Sequence, residues 1–332
     1  MSEGGVELSV AVSTAPHTRA LKEGAVAPQG LRLNFVEVVP MVAAYRRMIR
    51  DLEFDVCGLA PVTYLAAREA GLPITALPIF LARRFHHGDI VCRPGSGIRT
   101  PEDLEGRRIG VRAYTVSTGV WLRGILESEY GVDLDSITWV VDDEEHVSSF
   151  ALPSNVEKTA PGDSIADQFA NGKIDAGLTG PAGIGRKGAA KEGWSVSGAS
   201  FEDARAASDR FYPLFPDAES VETDWYRRTH IYPIHALLAV KSSVVAAHPE
   251  VAASLLDAFV QAKGVFLTEL ASGSASTAKG REYSALQAIV GPDPLPYGIE
   301  ENRASLEALC DFAVSQHIVQ RRPTVDELFV NT

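Results

Sequence analysis

The N-terminal part of the chain alternates between short apolar runs and segments that are apolar on one face only. Residues 7–13 and 31–38 alternate apolar and polar side chains, which is typical of strands. Residues 41–51 carry apolar side chains at helical spacing and predict a helix. The apolar run 54–59 predicts a buried strand, and the proline that follows suits the first turn of a helix over 61–70. This repeated strand–helix order predicts a sheet of parallel strands covered by helices.

A break in the pattern after Arg93 separates a second α/β unit from the first. A stretch rich in Gly and Pro leads into a new strand–loop–helix unit over 108–130. The apolar segment 231–241 predicts a strand that returns the chain to the first unit. We therefore expect an α/β clamshell with two crossover strands, whose first lobe contains residues 1–93 and 241–332 and whose second lobe contains residues 94–240.

Composition and charge exclude several classes of function. The chain has 332 residues, enough for two domains, and 45% of them are hydrophobic. A formal net charge of −12 without a long basic block argues against a nucleic-acid partner. No apolar run approaches the roughly 18 residues of a membrane span, and the N-terminus lacks the features of a secretory signal. We expect a cytoplasmic protein without a membrane partner.

The sequence contains no recognisable metal or cofactor motif. Cys57, Cys92 and Cys310 lie far apart in apolar surroundings, which argues against a disulfide framework and a thiolate metal site. The acidic run 142–146 lacks the spacing of a cation site, and we interpret it as a solvated loop. Neither a Rossmann fingerprint nor a phosphate loop is present. We therefore expect no cofactor and no metal.

Four basic side chains lie within five residues between two apolar runs. They are Arg83, Arg84, His86 and His87. If this segment is extended, Arg83 and His87 share one face with Phe85, and Arg84 and His86 share the other. Guanidinium and imidazole groups beside a strand end suit a small carboxylate. The alternative is a solvated basic turn that pairs with surface acids.

Longer motifs throughout the chain resemble one family in the order that the family shows. They are EFDVCGLAPVTYLAAR, PIFLARRFHHGDIV, SGIRTPEDLEGRRIGV, AYTVSTGVWLRGILESEYGV, LFPDAESVETDWYRRTHIYPIHALLAV and LPYGIEENRASLEAL. The chain resembles the 4,5-dihydroxyphthalate decarboxylases, within the type 2 periplasmic-binding-protein superfamily. This resemblance implies a two-lobed clamshell, a homo-oligomer, and a lyase of phthalate degradation that converts 4,5-dihydroxyphthalate to protocatechuate without a cofactor.

The chain departs from the family pattern at three places in the expected cleft. Pro16 and His17 stand where the family has Asp-Arg, and His86 stands where it favours arginine. Ala113 precedes Tyr114 where a charged or amide residue is usual. These departures bear on the identity of the aromatic substrate and leave the expected fold unchanged.

Arginines are the candidates for holding the carboxylates of such a substrate. We expect Arg19 and Arg83 to form bidentate pairs with them, and Thr18 to donate a hydrogen bond to the same anion. The alternative for Arg19 is an ion pair with Glu23, one helical turn further along.

Histidines are the candidates for proton transfer, because imidazole titrates near neutral pH. His87 is the first choice, since it is expected to share a strand face with Arg83, and its alternative is a hydrogen bond to backbone. His17 could replace the charged residue of the family. His86 is a candidate for substrate binding. His235, in the returning strand, belongs either to the core or to the floor of the cleft.

Hydroxyl groups are expected to complete the site from both lobes. Tyr114, Thr115, Ser117 and Thr118 precede or begin a helix, where they could bind the second carboxylate or a ring hydroxyl. Capping of the helix by Ser117 or Thr118 is the alternative and is compatible with that role. Thr63 follows the third strand of the first lobe and is expected to line the cleft.

Two other functions remain open at this point. The same fold serves non-catalytic carboxylate-binding proteins, such as transport receptors or sensors, and other lyases or dehydratases. A binding protein would capture its ligand without releasing a product, whereas a decarboxylase would release CO2.

Overall fold

A computed structural model describes residues 5–185 and 211–330 of the chain. The described residues form two α/β lobes, each built around its own sheet. The chain runs through the first lobe, enters the second, and returns to the first. This arrangement agrees with the predicted two-lobed α/β architecture with two crossings.

The first lobe begins with alternating strands and helices, as the apolar pattern predicted. Its N-terminal elements are β1 (Val6–Ala11), α1 (Pro16–Lys22), β2 (Leu31–Phe35), α2 (Met41–Asp51), β3 (Val56–Leu59), α3 (Pro61–Glu69) and β4 (Ile74–Arg83).

The chain then enters the second lobe through a single 3-10 turn at His87–Asp89. The longer elements of this lobe are β5 (Ile90–Cys92), β6 (Arg108–Gly110), α4 (Ser117–Tyr130), β7 (Thr138–Val141), β8 (Val156–Lys158), α5 (Ile165–Ala170), β9 (Ala176–Leu178), β10 (Tyr212–Pro213) and α6 (Ala218–Thr229).

The returning segment completes the first lobe and adds the long C-terminal helices. It consists of β11 (Ile234–Lys241), α7 (Ser242–Ala247), α8 (Glu250–Ala271), α9 (Ala278–Val290) and α10 (Arg303–Ser315). Beyond α10, Phe329 forms a bridge to Ala76 of β4, so the tail lies on the first lobe as expected.

The sheets are mixed and not wholly parallel. In the first sheet the strand order is β2-β1-β3-β11-β4, and β11 is antiparallel to both of its neighbours. In the second the order is β10-β5-β9-β6-β7-β8, and β5 runs antiparallel to β9 and β10. The repeated strand–helix pattern predicted the parallel pairs correctly. It missed the strands next to the crossings, which run in the opposite direction because they enter a sheet from the other lobe.

The lobe boundaries lie several residues earlier in the chain than the predicted ones at 93 and 240. β5 pairs with β9 of the second sheet, so residues 90–92 do not belong to the first lobe. β11 pairs with β3 and β4 of the first sheet, so residues 234–240 do not belong to the second. The crossings are the short segments at 84–89 and 231–233, where the Arg84 N–H donates to the Pro233 carbonyl at 3.3 Å. The predicted boundaries followed breaks in composition, whereas hydrogen bonding between strands decides sheet membership.

Two hydrophobic cores cover the two faces of the first sheet. Leu237 and Ala239 of β11 pack toward α2, α3 and the second lobe, while Leu238 and Val240 pack toward α1 and α8. This alternation is the period of two that a strand buried on both faces requires. By length and composition α8 could cross a membrane, yet Leu255 places its apolar face in the second of these cores.

Helix α4 of the second lobe is packed against elements of the first at the back of the clamshell. The Trp121 indole N–H donates to the Ile234 carbonyl at 2.9 Å. A Cβ atom on Gly124 would lie 2.2 Å from the Phe312 ring of α10, so only glycine permits this approach. These contacts position the start of α4 opposite the start of α3.

Candidate functional site

A cavity of about 330 Å³ lies between the lobes. Cavities of this size fall at the small end of the range for small-molecule sites. Both lobes contribute to its wall, and its lining residues are Pro40, Val42, Tyr45, Ala60, Thr63, Arg84, Arg112, Ala113, Thr115, Val116, Ser117, Thr118, Glu145, His146, Pro181, Ala182 and His235.

Three helices begin at the cavity. Pro40, Ala60 and Val116 are the residues just before α2, α3 and α4, and all three line the wall. The first peptide N–H groups of a helix have no partner within the helix, and the helix dipole is positive at that end. Ser117 Oγ accepts a hydrogen bond from the Val62 N–H at 3.3 Å, which joins the starts of α4 and α3 directly. The cavity is therefore a favourable environment for an anion.

Arg84 brings a guanidinium group to the cavity wall. Its Nη1 donates to both Asp89 carboxylate oxygens at 2.7 Å, and its Nη2 donates to Thr118 Oγ1 at 3.1 Å. Its side chain is 34% exposed, so the group is held from one side and open on another. Burial alone would raise the pKa of Asp89. The Arg84 charge and the hydrogen bond from His86 nevertheless hold this pKa far below its usual range.

Arg112 provides a second guanidinium group on the cavity wall. Its Nη1 lies 3.0 Å from Asp143 Oδ2, and the second Asp143 oxygen lies 3.2 Å from Arg46 Nη2 of α2. Burial alone would raise the pKa of Asp143, but Arg112 and Arg46 lower it. The Arg46–Asp143 pair joins the two lobes beside the cavity.

His146 is a cavity residue that closes the gap between the lobes. Its Nδ1 lies 3.0 Å from Thr63 Oγ1, and its ring meets Tyr45 edge-on at 6.1 Å. Burial, together with the charges of Arg112 and Arg46, lowers the pKa of His146 to about 3. The imidazole is therefore neutral near pH 7.

His235 lies on the cavity wall with His86 directly behind it. The two rings are 5.6 Å apart between centroids, and His86 Nδ1 lies 2.7 Å from Asp89 Oδ2. A carboxylate only accepts hydrogen bonds, so Nδ1 of His86 carries the proton and Nε2 is the basic nitrogen. Burial and the Arg84 charge lower the pKa of His86 to about 4, and the same two causes lower the pKa of His235 well below 6.5. Both imidazoles are neutral at physiological pH.

The loop before α4 forms a cradle for a carboxylate, and Glu145 occupies it. The Tyr114 N–H donates to Glu145 Oε1 at 2.6 Å, and the Thr115 N–H donates to Oε2 at 3.2 Å. The Thr115 hydroxyl also donates to Oε2. The expectation of a solvated acidic loop is wrong for these residues, because Glu145 lines the cavity and His146 is buried.

Arg83 does not reach the cavity, contrary to expectation. It is buried in the first lobe, where it donates to the Asn302 amide oxygen, the Tyr232 carbonyl and Ser305 Oγ. Its guanidinium carbon lies 4.4 Å from the centre of the Tyr232 ring. Arg83 and Arg84 do face opposite sides, as alternation predicted, but the second lobe lies on the side of Arg84.

Arg19 and Thr18 also lie outside the cavity lining. Arg19 Nη2 pairs with Glu269 of α8, and its Nε lies 3.9 Å from Glu23, which agrees with the alternative of a surface ion pair. Thr18 Oγ1 accepts from the Ala15 N–H at 2.9 Å and so caps its own helix. The expectation of a carboxylate clamp at these residues is therefore wrong.

His17 and His87 are packed in cores away from the cavity. The His17 ring lies 6.2 Å from Tyr283, and burial with the Lys279 charge lowers its pKa to about 4. The His87 ring meets Phe215 and Trp225 edge-on at 5.4 and 5.3 Å. His87 begins a 3-10 turn instead of continuing the strand, so it does not share a face with Arg83 in the way the extended pattern required.

The structure does bring several predicted residues together. Thr63, Thr115, Ser117, Thr118 and His235 line one cavity, although they come from both lobes. The ring of Tyr114 is directed elsewhere, since it lies 4.0 Å from the Arg123 guanidinium, and only its backbone N–H serves the cradle.

Four further cavity residues carry ionisable groups that the sequence patterns did not assign to the site. They are Arg84, Arg112, Glu145 and His146. Arg84 was visible in the basic cluster, but the face that meets the second lobe could not be read locally. The acidic run that contains Glu145 and His146 carried no spacing signal. Within residues 5–185 and 211–330, no three His, Cys, Asp or Glu residues are grouped so as to hold a metal ion.

Comparison with known proteins gives matches along the whole chain. Residues 31–263 match the family described as "ABC transporter, phosphonate, periplasmic substrate-binding protein". A 4,5-dihydroxyphthalate decarboxylase from Comamonas testosteroni is 30% identical over 340 residues, which cover 98% of this chain and 96% of the relative. Another from Pseudomonas putida is 31% identical over 179 residues, covering 52% of this chain and 69% of that protein.

A solved structure of low sequence identity shares the fold. The alkanesulfonate-binding protein of Xanthomonas axonopodis pv. citri, bound to MOPS, superposes with a TM-score of 0.55 at 15% identity. The superposition covers 99% of each chain. The predicted two-lobed periplasmic-binding-protein fold is thus confirmed.

Proposed function

The chain belongs to the 4,5-dihydroxyphthalate decarboxylase family, a family of carboxy-lyases on the periplasmic-binding-protein fold, and from this premise we propose that it decarboxylates a hydroxylated aromatic ortho-dicarboxylate in the cavity between its lobes. The first substrate to test is 4,5-dihydroxyphthalate, with protocatechuate and CO2 as products. The observation that carries the proposal is the meeting of Arg84, Arg112 and three helix starts around one small cavity.

The proposed reaction balances without an electron acceptor. The bond between the ring carbon and one carboxylate breaks, CO2 leaves, and a proton takes its place on the ring carbon. The hydroxyl group para to the departing carboxylate pushes electron density into the ring as it gives up its proton. The protein must therefore bind two carboxylates, accept a phenolic proton and deliver a proton to carbon.

Binding of the dianion is assigned to the cationic and dipolar groups of the wall. Arg84 offers a guanidinium face beside Thr118, and Arg112 offers a second guanidinium group on the same cavity wall. Arginine suits this task because its planar fork pairs with both oxygens of a carboxylate. The N-terminal ends of α2, α3 and α4 add the positive ends of their helix dipoles at the wall.

Proton transfer is assigned to His235, supported by His86 and Asp89. His235 is a neutral imidazole on the wall, and His86 stands behind it with its Nδ1 proton fixed by Asp89. A neutral imidazole can accept the phenolic proton and return a proton to carbon. The two carboxylates of a dianionic substrate in the cavity would raise the pKa of His235, since opposite charges favour the protonated form. The orientation of a ring hydroxyl is assigned to His146, which Thr63 holds by a hydrogen bond.

The test is incubation of the purified protein with 4,5-dihydroxyphthalate, with protocatechuate measured by chromatography and CO2 by a coupled assay. In D2O the product should carry one non-exchangeable deuterium at the carbon that lost its carboxylate. Tight binding without product would favour the transport-receptor or sensor function instead. Because His17, His86 and Ala113 depart from the family pattern, a panel of hydroxylated benzoates and phthalates should follow.

We also propose a cytoplasmic location and a homo-oligomer, which the family resemblance suggested. Cys57, Cys92 and Cys310 are all buried free thiols, a usage common in reducing compartments. Cell fractionation and light scattering on the purified protein test these two expectations.

A further inference from the structure

Glu145 is a negatively charged residue in a cavity suited to anions, and the proposed function leaves it without a role. Both of its carboxylate oxygens are bound by the loop before α4, through the Tyr114 N–H, the Thr115 N–H and the Thr115 hydroxyl. These donors lie in the loop just before α4, next to the positive end of the helix dipole, and would otherwise be available to a substrate carboxylate. The cradle is therefore shown to accept a carboxylate and is filled by one from the protein itself.

The charges around the cavity make this occupancy consequential. Arg84 is paired with Asp89, and Arg112 and Arg46 are paired with Asp143. Glu145 adds a further negative charge on the wall itself, whereas Asp89 and Asp143 are not among the lining residues. A dianion that enters while Glu145 remains in place meets repulsion from it, whereas a dianion that takes its position gains three hydrogen-bond donors.

We propose that Glu145 is a resident anion that a carboxylate of the substrate displaces from the Tyr114–Thr115 cradle on binding. The inference rests on the proposed function in taking an aromatic dicarboxylate as the competitor. It makes Glu145 a specificity-determining residue, because ligands without a carboxylate cannot compete for the cradle and leave it closed.

The acidic loop is built so that the side chain of Glu145 can leave without releasing the loop. Arg50 of α2 donates to the Glu145 backbone carbonyl at 3.2 Å and pairs with the Glu144 carboxylate at 2.8 Å. The next residue, His146, is joined to Thr63. The backbone on both sides is thus anchored to the first lobe by contacts that do not involve the Glu145 carboxylate.

A second feature of the same wall indicates an anionic or hydroxylated guest. His146 is 5% exposed, and among the described residues its Nε2 has no hydrogen-bond partner. A buried polar nitrogen without a partner is costly unless a ligand or water completes it. Glu145 and His146 line the same cavity, so a carboxylate that displaces Glu145 enters the cavity that His146 also lines.

The test is calorimetric titration with phthalate, which carries both carboxylates but lacks the ring hydroxyls that the reaction needs. If Glu145 occupies the cradle for about nine-tenths of the time in the free protein, Glu145→Ala should bind phthalate about tenfold more tightly than wild type. Glu145→Gln should also bind more tightly, because its amide carries no charge and can satisfy only one side of the cradle. Glu157→Ala is the matched control, since Glu157 is exposed, pairs with Arg108 and does not line the cavity, and it should bind as wild type does.

Unchanged or weaker phthalate binding by both Glu145 variants, with thermal transitions like that of wild type, would overturn the inference. If Glu145→Ala does not fold, Glu145→Gln decides the question. The readout is independent of turnover. A protein that fails to release protocatechuate from 4,5-dihydroxyphthalate, yet gains phthalate affinity in the Glu145 variants, would refute the proposed function and support the resident anion.

Discussion

Thr63 Oγ1 and His146 Nδ1 lie 3.0 Å apart and form a hydrogen bond between the two lobes at the wall of the cavity. Thr63 stands in the first turn of α3, and His146 ends the acidic loop of the second lobe. Both residues are buried. The clamshell must break this hydrogen bond when it opens at this edge to admit a substrate. The strength of the Thr63–His146 bond therefore affects the affinity for the ligand.

Thr63→Val removes the hydroxyl group and keeps the shape of the side chain. A buried imidazole nitrogen then loses its partner, which costs about 1 to 3 kcal/mol. We expect KM for the aromatic substrate to rise about tenfold, because closure around the ligand is less favourable. Steady-state kinetics measure this, with Thr268→Val as the control, since Thr268 bonds the Gly264 carbonyl of its own helix. Equal KM values in both variants would contradict the prediction.

Arg84→Lys tests whether Arg84 of the cavity wall, and not Arg19, binds the substrate carboxylate. Lysine keeps the charge but cannot form the paired bonds to Asp89 or to a substrate carboxylate. We expect kcat/KM to fall about 10- to 100-fold through loss of one bidentate charged pair. Arg19→Lys is the control: its partly exposed pair with Glu269 should matter for stability by no more than about 1 kcal/mol and not for turnover. Activity loss in the Arg19 variant alone would reverse the assignment.

Arg83→Met tests the opposite role for the neighbouring arginine. Removing the guanidinium leaves the buried amide oxygen of Asn302 without this donor, and the Tyr232 carbonyl and Ser305 hydroxyl keep only the bonds that they form with each other. We expect the free energy of unfolding to fall by roughly 3 kcal/mol or more, while KM of the remaining folded enzyme stays near its wild-type value. Urea unfolding and kinetics at low temperature measure the two quantities. A rise in KM without loss of stability would place Arg83 in substrate binding after all.

His86→Phe tests the support of His235. Phenylalanine retains a ring beside His235 but cannot bond Asp89 or exchange a proton. We expect kcat to fall about 100-fold with KM little changed, the size expected for loss of assisted proton transfer. His87→Phe is the matched control, because His87 packs on Phe215 and Trp225 away from the cavity, and it should keep kcat near wild type. A larger loss in the His87 variant would restore the original choice of that histidine.

Glu222 should make stability depend on pH. Its Oε1 accepts from the Gly88 N–H at 3.3 Å and lies 3.8 Å from His87 Nδ1. Burial and the nearby Asp89 charge raise the pKa of Glu222 to about 7, while burial and His86 lower the pKa of His87 to about 4. At a pH between about 4 and about 7, the Glu222 carboxyl is protonated and the His87 imidazole is unprotonated. Both groups are then neutral, so their contact is not an ion pair.

The sign of this effect follows from the raised pKa. The pKa of this carboxyl is higher in the folded protein than its ordinary value of 4.5. Its contribution to the free energy of unfolding is therefore complete below about pH 4.5 and is lost as the pH rises through about 7. The loss is on the order of 3 kcal/mol. Glu222→Gln does not titrate, so its stability relative to wild type should increase from pH 5 to pH 8. Urea unfolding at both pH values checks this, and a constant difference would contradict it.

Local patterns predicted most of the elements because each depends on nearby residues. The helix Met41–Asp51 occurs where the apolar spacing placed it, and Pro61 begins α3 as its ring geometry favours. The strand Ile74–Arg83 extends further than its apolar run, because pairing with β11 continues as far as Arg83. Helix α6 was not predicted, since its few apolar residues are widely spaced among charged ones.

The candidate site was predicted in its chemistry but only in part in its residues. The basic cluster at 83–87 did contain a cavity arginine, and the hydroxyl-rich start of α4 does line the cavity. The choice of Arg83 over Arg84 was wrong because period-two alternation gives two faces without saying which one meets the other lobe. Arg19 was wrong because its partner, Glu269, is distant in sequence and no local pattern reveals it.

The amino-acid sequence by itself determined that the chain forms two α/β lobes with helix starts able to bind an anion, because strand alternation, helical spacing and capping act over a few residues. Only the tertiary structure decided which guanidinium and imidazole groups face the cavity, and that Glu145 fills the cradle before α4. Those outcomes depend on how the two sheets dock. Docking is set by the packing of residues far apart in the chain, such as Gly124 against Phe312, and by pairs between lobes, such as Thr63 with His146.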